Sequence, residues 1–254
     1  YPLEQVIFVD DLFILFEDWL EEFAEKWPRE VGVSFFCNVR ANLVTPEKVA
    51  LLKKAGATSV SMGIESGSDR VRDEILKRRM SAEAIVQAGQ LLDAAGIAAS
   101  STNMLALPTA TLADDFATMQ LNRAAKIKYA HAFLFQPYPG TELGMFVQDY
   151  DLMDGNLEDI SAIAWDKSLV KRDPFERRQM ENLQRWFAIG VEFPWLEPLI
   201  RLAIRVPHNP ITDGLYWWLH KVFKGYAIGR RIHPFRRDLR TTLRQIIHFF
   251  RMGT

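Results

Sequence analysis

The sequence holds one cysteine, Cys37, in 254 residues. A lone thiol excludes an intrachain disulfide and cannot build a multi-thiolate metal site, so a reducing, cytoplasmic setting is expected. Long apolar runs are missing too. None approaches the ~18–20 residues that span a bilayer, and no basic segment leads into an apolar one at the N-terminus. Neither sign of charge dominates, with 31 Lys and Arg against 32 Asp and Glu. The patterns GxSxG, HExxH, CxxC and the phosphate-binding P-loop do not occur, which removes the usual hydrolase and kinase signatures. An initiator Met is also lacking, and "YPLEQVIFVDD" runs at once into a buried-looking strand. The chain is therefore expected to be a piece of a longer protein.

What is present is apolar and periodic. Hydrophobic side chains make up 48% of the chain, enough for a large core. Short β-branched and aromatic runs ("QVIFVD", "VGVSFFCNV", "TSVSMGI", "IAASSTNMLAL", "YAHAFLFQPY") alternate with stretches of helical periodicity. In "EDWLEEFAEKW", Trp19, Leu20, Phe23 and Trp27 share a helical face. In "TPEKVALLKKAG", Thr45 caps, Pro46 takes the first helical position and Gly56 closes the helix. A long helical region is expected from Asp69 to Ala95, ending at Gly96, and another over "TLADDFATMQLNRAAKI". Five strands with four intervening helical regions predict an α/β fold of parallel βα units. Periodicity leaves open whether they form a barrel or an open doubly wound sheet. In both, ligand sites gather past the C-terminal strand ends, where this chain places "DD", "NVRAN", "ESGSD", "LPTAT" and "PYPGT".

After Gly140 the strand signal stops. Asp173, Pro174 and Glu176 stand in capping positions of a helix whose apolar side and exit carry Trp186, Phe187, Phe193 and Trp195. Pro198, Pro207, Pro210 and Pro234 divide the remainder into short helices. The expected organisation is a barrel-like part over residues 1–145 and a helical C-terminal extension over 146–254.

The richest segment chemically is "MGIESGSDRVRDEILKRRM". Its strand leads into Glu65, Ser66 and Gly67 at the rim, and the following helix is expected to carry Arg70, Arg72, Lys77, Arg78 and Arg79. A carboxylate facing a guanidinium across a rim suits a zwitterionic or ribose-bearing ligand. The same residues also suit a helix cap and a solvated basic face. Asp10 and Asp11 end the first strand as a pair that can hold a metal or ammonium group, or simply turn the chain. His131, inside an apolar strand, reads as a packed residue. Cys37, buried in its strand, reads as a core residue.

Taken in order, "FVDDLF", "FFCNVRAN", "LLKKAGATSVSMGIESGSDRVRDEILKR", "NMLALPTAT" and "QPYPGTEL" resemble the radical S-adenosylmethionine (SAM) enzymes. The likeness is to the subgroup whose members usually carry an N-terminal cobalamin-binding domain. It implies a partial (β/α) TIM-like barrel of roughly six strands, of which this chain would supply strands two to six. It further implies a CxxxCxxC loop binding a [4Fe-4S] cluster and lying upstream of Tyr1. By this resemblance Asp10 and Asp11 hold the SAM amino group, Asn38 and Arg40 line the next rim segment, Glu65 and Ser66 meet the ribose, and Arg78 reaches the carboxylate. Asn103 and the "LALP" turn lie near the adenine or the radical centre, and Gln136 and Tyr138 face substrate. Related sequences commonly read NMxGLPGET, whereas Ala106, Thr109 and Ala110 here replace two glycines and an acid.

The implied chemistry is one-electron reduction of SAM to methionine and a 5′-deoxyadenosyl radical, used for cobalamin-dependent methylation or for rearrangement at an unreactive carbon. The cofactors are then SAM, a [4Fe-4S] cluster and cobalamin bound by an upstream domain. The partners are a small-molecule substrate and an electron donor such as flavodoxin or ferredoxin. A cobalamin-free methylthiotransferase or cyclase relative, and a degenerate barrel that only binds a ligand or partner, are the alternatives. The fragment alone is expected to be inactive.

Residues 221–254 hold nine Lys or Arg against one acid, Asp238. In "RRIHPFRRDLRTTLRQIIHFFRM", Phe235, Leu239, Leu243, Ile246, Ile247 and Phe250 fall at helical spacing beside arginines. This amphipathic tail suits packing on the barrel, or peripheral contact with an anionic membrane and a lipid-like or terpenoid substrate. No nucleic-acid-binding module accompanies the charge.

Overall fold

A computed structural model describes residues 3–160 and 167–234. Five strands, β1 (Gln5–Ile7), β2 (Ser34–Val39), β3 (Ala57–Glu65), β4 (Ala98–Leu105) and β5 (Tyr129–Leu134), pair in parallel in the order β1-β2-β3-β4-β5. That order decides between the two architectures left open by periodicity. A doubly wound sheet reverses its strand order at a switch point, and this sheet steps in one direction throughout. It curls into part of a TIM-like barrel.

The connecting helices are α1 (Glu17–Glu30), α2 (Pro46–Ala55), α3 (Ala82–Ala94) and α4 (Leu112–Ala124). They cover the outer face of the sheet, where Phe35, Cys37, Val60, Met62, Ile64 and Leu105 are fully buried. Burying each larger apolar side chain contributes about 1.5–3 kcal/mol. Strand periodicity puts the alternate residues, Asn38, Ser61, Gly63, Thr102 and His131, on the concave inner face, where they remain partly exposed. Thr45 caps α2 by accepting from the Lys48 N–H at 3.3 Å, and Gly56 ends it in the left-handed conformation at φ 94°.

The region from Asp69 to Ala95 is not one helix. A single π-type turn over Val71–Ile75 gives way to Lys77 and Arg79, both at positive φ, before Ser81 caps α3. Arg72 explains the break. Its guanidinium is buried and donates from Nε to the Met80 carbonyl at 2.9 Å and from Nη1 to the Ser66 carbonyl at 2.8 Å, besides pairing with Asp69. Folding the chain back around a buried guanidinium satisfies it. A continuous helix would carry Met80 away from it.

Beyond β5 come α5 (Glu142–Asp149), α6 (Pro174–Glu192), α7 (Glu197–Ala203) and α8 (Pro210–Ala227). Asp173 caps α6, accepting from the Phe175 and Glu176 N–H groups at 2.9 and 3.1 Å. The helix lies against β5, where the Gln184 amide donates to the Ala132 carbonyl at 2.9 Å. The turn Ile228–Ile232 after α8 enters the bottom of the half-barrel, and the Ser59 hydroxyl donates to the Ile232 carbonyl at 2.5 Å. Arg231 donates to both carboxylate oxygens of Glu192, at 2.6 and 2.7 Å. The C-terminal helices thus close the end of the barrel remote from the strand C-termini.

Among the described residues no helix is long and apolar enough to cross a membrane. The amphipathic tail from Phe235 onward lies outside the described residues.

Candidate functional site

A cavity of about 490 Å³ opens at the C-terminal rim, lined by Asp11, Leu12, Asn38, Val39, Arg40, Ser61, Gly63, Glu65, Lys77, Arg78 and Thr102. The volume falls in the usual range for small-ligand sites. Its centre is a carboxylate between a cation and a hydroxyl. Arg78 Nη1 donates to Glu65 Oε1 at 3.3 Å, and the Thr102 hydroxyl donates to the same oxygen at 3.2 Å. Arg78 Nη2 donates to the Gly63 carbonyl at 3.2 Å, and Arg40 Nη2 to the Arg78 carbonyl at 2.9 Å. Burial pushes the Glu65 carboxyl above the ordinary carboxylate range, while Arg78 and then Thr102 pull it back. The Nε atoms of Arg40 and Arg78 are buried with no partner in the protein.

Three local devices aim Glu65. The β3–β4 register runs Gly63↔Thr102 and then Glu65↔Asn103, so β3 carries one extra residue at its end. Glu65 itself sits at φ 65°, closing a tight turn in which the Ser66 N–H donates to the Ile64 carbonyl at 2.8 Å. Gly63 leaves room for the carboxylate, since a Cβ there would lie 2.8 Å from Glu65 Oε1 and 3.0 Å from Arg78 Nη2.

The structure brings together Asp11, Asn38, Arg40, Glu65 and Arg78 around the cavity. Asp10 contributes its backbone, whose carbonyl accepts from the Asn38 amide at 3.1 Å. Ser66 is buried and does not line the cavity; its hydroxyl accepts from the Ser68 N–H at 3.3 Å and its carbonyl from Arg72. Asn103 is turned away, onto the face covered by α4. Its Nδ2 donates to the Ser101 hydroxyl at 2.9 Å and the His131 carbonyl at 2.8 Å, and its Oδ1 accepts from Asn122 at 2.7 Å. The inward residue is its neighbour Thr102, because adjacent strand residues face opposite ways.

Gln136 is buried and donates to the Lys167 carbonyl at 2.9 Å, while Tyr138 stands exposed on the rim after β5. Neither lines the cavity. His131 lies on the inner face between the rings of Tyr129 and Phe133, and burial followed by the nearby Lys224 pushes its pKa down to about 3. It is a neutral imidazole at ordinary pH.

The family model described as Radical SAM superfamily matches residues 3–121. The match is consistent with a radical SAM protein. The chain is 25% identical over 144 residues to the uncharacterized methyltransferase PH0819 of Pyrococcus horikoshii, covering 56% of this chain and 31% of that protein. It therefore spans about a third of the curated relative it matches. Among solved structures, the cobalamin-dependent SAM radical enzyme OxsB, with aqua-cobalamin and SAM bound, aligns with 98% of this chain and 42% of its own at TM-score 0.56 and 14% identity. Coproporphyrinogen III oxidase HemN of Escherichia coli, a radical SAM enzyme, aligns with 77% of this chain and 40% of its own at TM-score 0.52 and 11% identity. At these identities the likeness is one of fold. In the OxsB comparison it extends over the C-terminal helices as well as the half-barrel.

The radical SAM superfamily works with SAM and a [4Fe-4S] cluster. The cavity fits the first of these in kind: two guanidinium groups and a desolvated carboxylate lining one space suit a molecule that carries a carboxylate, an ammonium and ribose hydroxyls. The described residues do not fit the cluster. Among the described residues no three of His, Cys, Asp or Glu come together as a metal site. Cys37 is fully buried on the outer face of β2, and burial pushes its thiol up to about 12, so it is no thiolate ligand.

Proposed function

We propose that this chain forms the SAM-binding half-barrel of a radical enzyme that, as a whole protein, methylates or rearranges a small molecule at an unreactive carbon with the help of cobalamin. The observation that carries the reading is the Glu65–Arg78–Thr102 constellation, held by a bulge and a tight turn over a rim cavity. On this reading Glu65 accepts from the ribose hydroxyls and Asp11 from the amino group. Arg78 and Arg40, which line the cavity, draw the carboxylate. Asn38, fixed through the Asp10 carbonyl, lines the adjoining wall. Tyr138, exposed beyond β5, would meet the approaching substrate, whereas Gln136 is buried.

SAM held by Glu65, Asp11, Arg40 and Arg78 would be the radical source only in a whole protein that also supplies a reduced cluster. The chain's own residues orient the sulfonium ligand and exclude water from it. The helices closing the barrel bottom leave the rim as the way in. A bulk electron donor of the flavodoxin or ferredoxin class belongs to the same proposal.

The test is anaerobic reconstitution of the full-length protein with iron and sulfide, followed by assay for 5′-deoxyadenosine and S-adenosylhomocysteine. Formation of either on reduction is the expected result. Ligand binding without cleavage in a fully reconstituted protein would favour the reading of a barrel that only binds.

A further inference from the structure

The turn after β4 has a shape that its residues do not favour. Ala106 and Thr109 take φ of 55° and 62°, the left-handed region in which a Cβ is strained. Neither is glycine, and Ala106 is wholly buried. Groups outside the turn hold it.

Two come from the half-barrel. Both oxygens of the buried Asp115 carboxyl group accept from the Ala106 N–H, at 3.3 and 3.2 Å. Arg70 donates to the Thr109 carbonyl at 3.0 Å and the Thr109 hydroxyl at 3.3 Å. The third comes from the C-terminal extension. Arg172 donates from Nη2 to the Leu107 carbonyl at 2.6 Å and from Nη1 to the Ala110 carbonyl at 2.7 Å, so one planar guanidinium spans both ends of the turn. Its side chain is 6% exposed, and its backbone is fixed on both sides, by the Met153↔Val170 bridge before it and the Asp173 cap after it.

We infer that Arg172 is a positioning residue: it clamps the β4 rim turn in a left-handed shape that glycine would otherwise supply, and so couples the C-terminal extension to the wall of the ligand cavity. The coupling path is short. Thr102 lines the cavity from β4, four residues before Ala106, and Arg70 ties Thr109 to the segment that follows Glu65. Arginine suits the task because its rigid fork reaches two carbonyls at once. Lysine donates from one nitrogen and lacks that fork.

The inference for ligand affinity rests on the cavity being a SAM site; the inference for the turn does not. The experiment therefore reads both, on the full-length protein, as wild type, Arg172→Ala, Arg172→Lys, Ala106→Gly/Thr109→Gly, and Arg172→Ala combined with the glycine pair. Hydrogen–deuterium exchange of the peptide over residues 104–112 reports the turn, and titration with S-adenosylhomocysteine reports the cavity. Arg172→Ala and Arg172→Lys are expected to speed exchange of that peptide by about tenfold with the α6 peptides unchanged, and to weaken S-adenosylhomocysteine by about fivefold. Adding the glycine pair should bring both back to within about twofold of wild type, because glycine removes the strain the clamp opposes.

Unchanged exchange in Arg172→Ala, or no recovery on adding the glycines, overturns the clamp. If Arg172→Ala fails to fold, Ala106→Gly alone should raise the thermal midpoint of the otherwise native protein, and a fall or no change overturns the clamp equally. If the exchange pattern holds but wild type binds no S-adenosylhomocysteine, the clamp stands and the SAM reading of the cavity falls.

Discussion

Replacing Glu65 with glutamine tests the site at its centre. The side chain keeps its shape, and the strained backbone at φ 65° still carries a Cβ, so the turn is not altered. What disappears is the charge, which faces Arg78 at 3.3 Å and Thr102 at 3.2 Å. Arg78 is 30% exposed and can turn part of its charge to water, so the fold should lose no more than about 1 kcal/mol. A ligand hydroxyl bonded to the carboxylate loses more, because hydrogen bonds to charged groups contribute about 1.5–3 kcal/mol. Affinity for S-adenosylhomocysteine should fall about 10- to 150-fold, measured by anaerobic calorimetry on the full-length protein. The pH dependence gives a second signature. Burial holds Glu65 above the ordinary carboxylate range, and the ionised form is the better acceptor, so wild-type binding should weaken as pH falls through that raised value. Glu65→Gln should lose this dependence. A variant that binds within about twofold of wild type, with wild-type pH dependence, would show that Glu65 does not meet the ligand.

Other expectations separate folding from binding. Asn103→Ala strips partners from Asn122 and Ser101 in the buried network and should cost about 2–3 kcal/mol in urea unfolding. Thr102→Val, on the inner face, should change stability by less than about 1 kcal/mol yet weaken S-adenosylhomocysteine several-fold, and the opposite pattern would reverse the facing of β4. Burial pushes Asp115 from its ordinary 3.8 up to about 8, so the folded protein holds a proton that the unfolded chain has released between those values. Its contribution to stability therefore falls as pH rises across that window, by at most about 1.4 kcal/mol per pH unit, and Asp115→Asn should flatten that slope. Cys37→Ala should lower stability by about 1–2 kcal/mol while leaving the iron content of reconstituted full-length protein unchanged. A loss of iron would make the thiol a ligand after all.

The parts of the fold legible in the sequence were those set by local chemistry. Thr45, Pro46 and Gly56 bound α2 and Asp173 opens α6 because capping needs only neighbouring backbone groups. The buried setting of Cys37 followed from the apolar run around it. The facing of β4 was not legible. Ser100, Ser101, Thr102 and Asn103 are polar in succession, so no alternation marks which side is inward, and Asn103 was expected at the site that Thr102 holds. The β3 bulge was likewise hidden, since an extra residue shows only when two strands are paired. Nor did the sequence disclose that Arg72 is buried. Among Arg70, Lys77, Arg78 and Arg79 it looks like one more charge on a solvated helix, and only the carbonyls of Ser66 and Met80, brought together by folding, give it a reason to be inside.

Backbone strain in this chain is concentrated where the cavity is. Of the described non-glycine residues at positive φ, Glu65 ends β3, Lys77, Arg79, Ala106 and Thr109 follow β3 or β4, and Lys126 and Asp151 lie elsewhere. Each costs about 1–2 kcal/mol, a sizeable share of the 5–15 kcal/mol by which a domain is stable. Such conformations persist only if surrounding groups over-determine them. The over-determining groups are arginines used against backbone carbonyls: Arg72 on Ser66 and Met80, bracketing the segment from Glu65 to Arg79, and Arg70 and Arg172 on the turn from Ala106 to Ala110. A guanidinium buried for packing alone would cost more in lost hydration than it returns. Buried against the carbonyls of strained turns, it offsets that loss by fixing the direction in which the rim presents Glu65 and the β4 turn. The basic residues of this segment therefore divide by task. Arg40 and Arg78 line the cavity, whereas Arg72 and Arg172 are buried against the backbone behind it. Charge-reversing variants of the first pair should act on ligand affinity, and of the second pair on the shape of the rim itself.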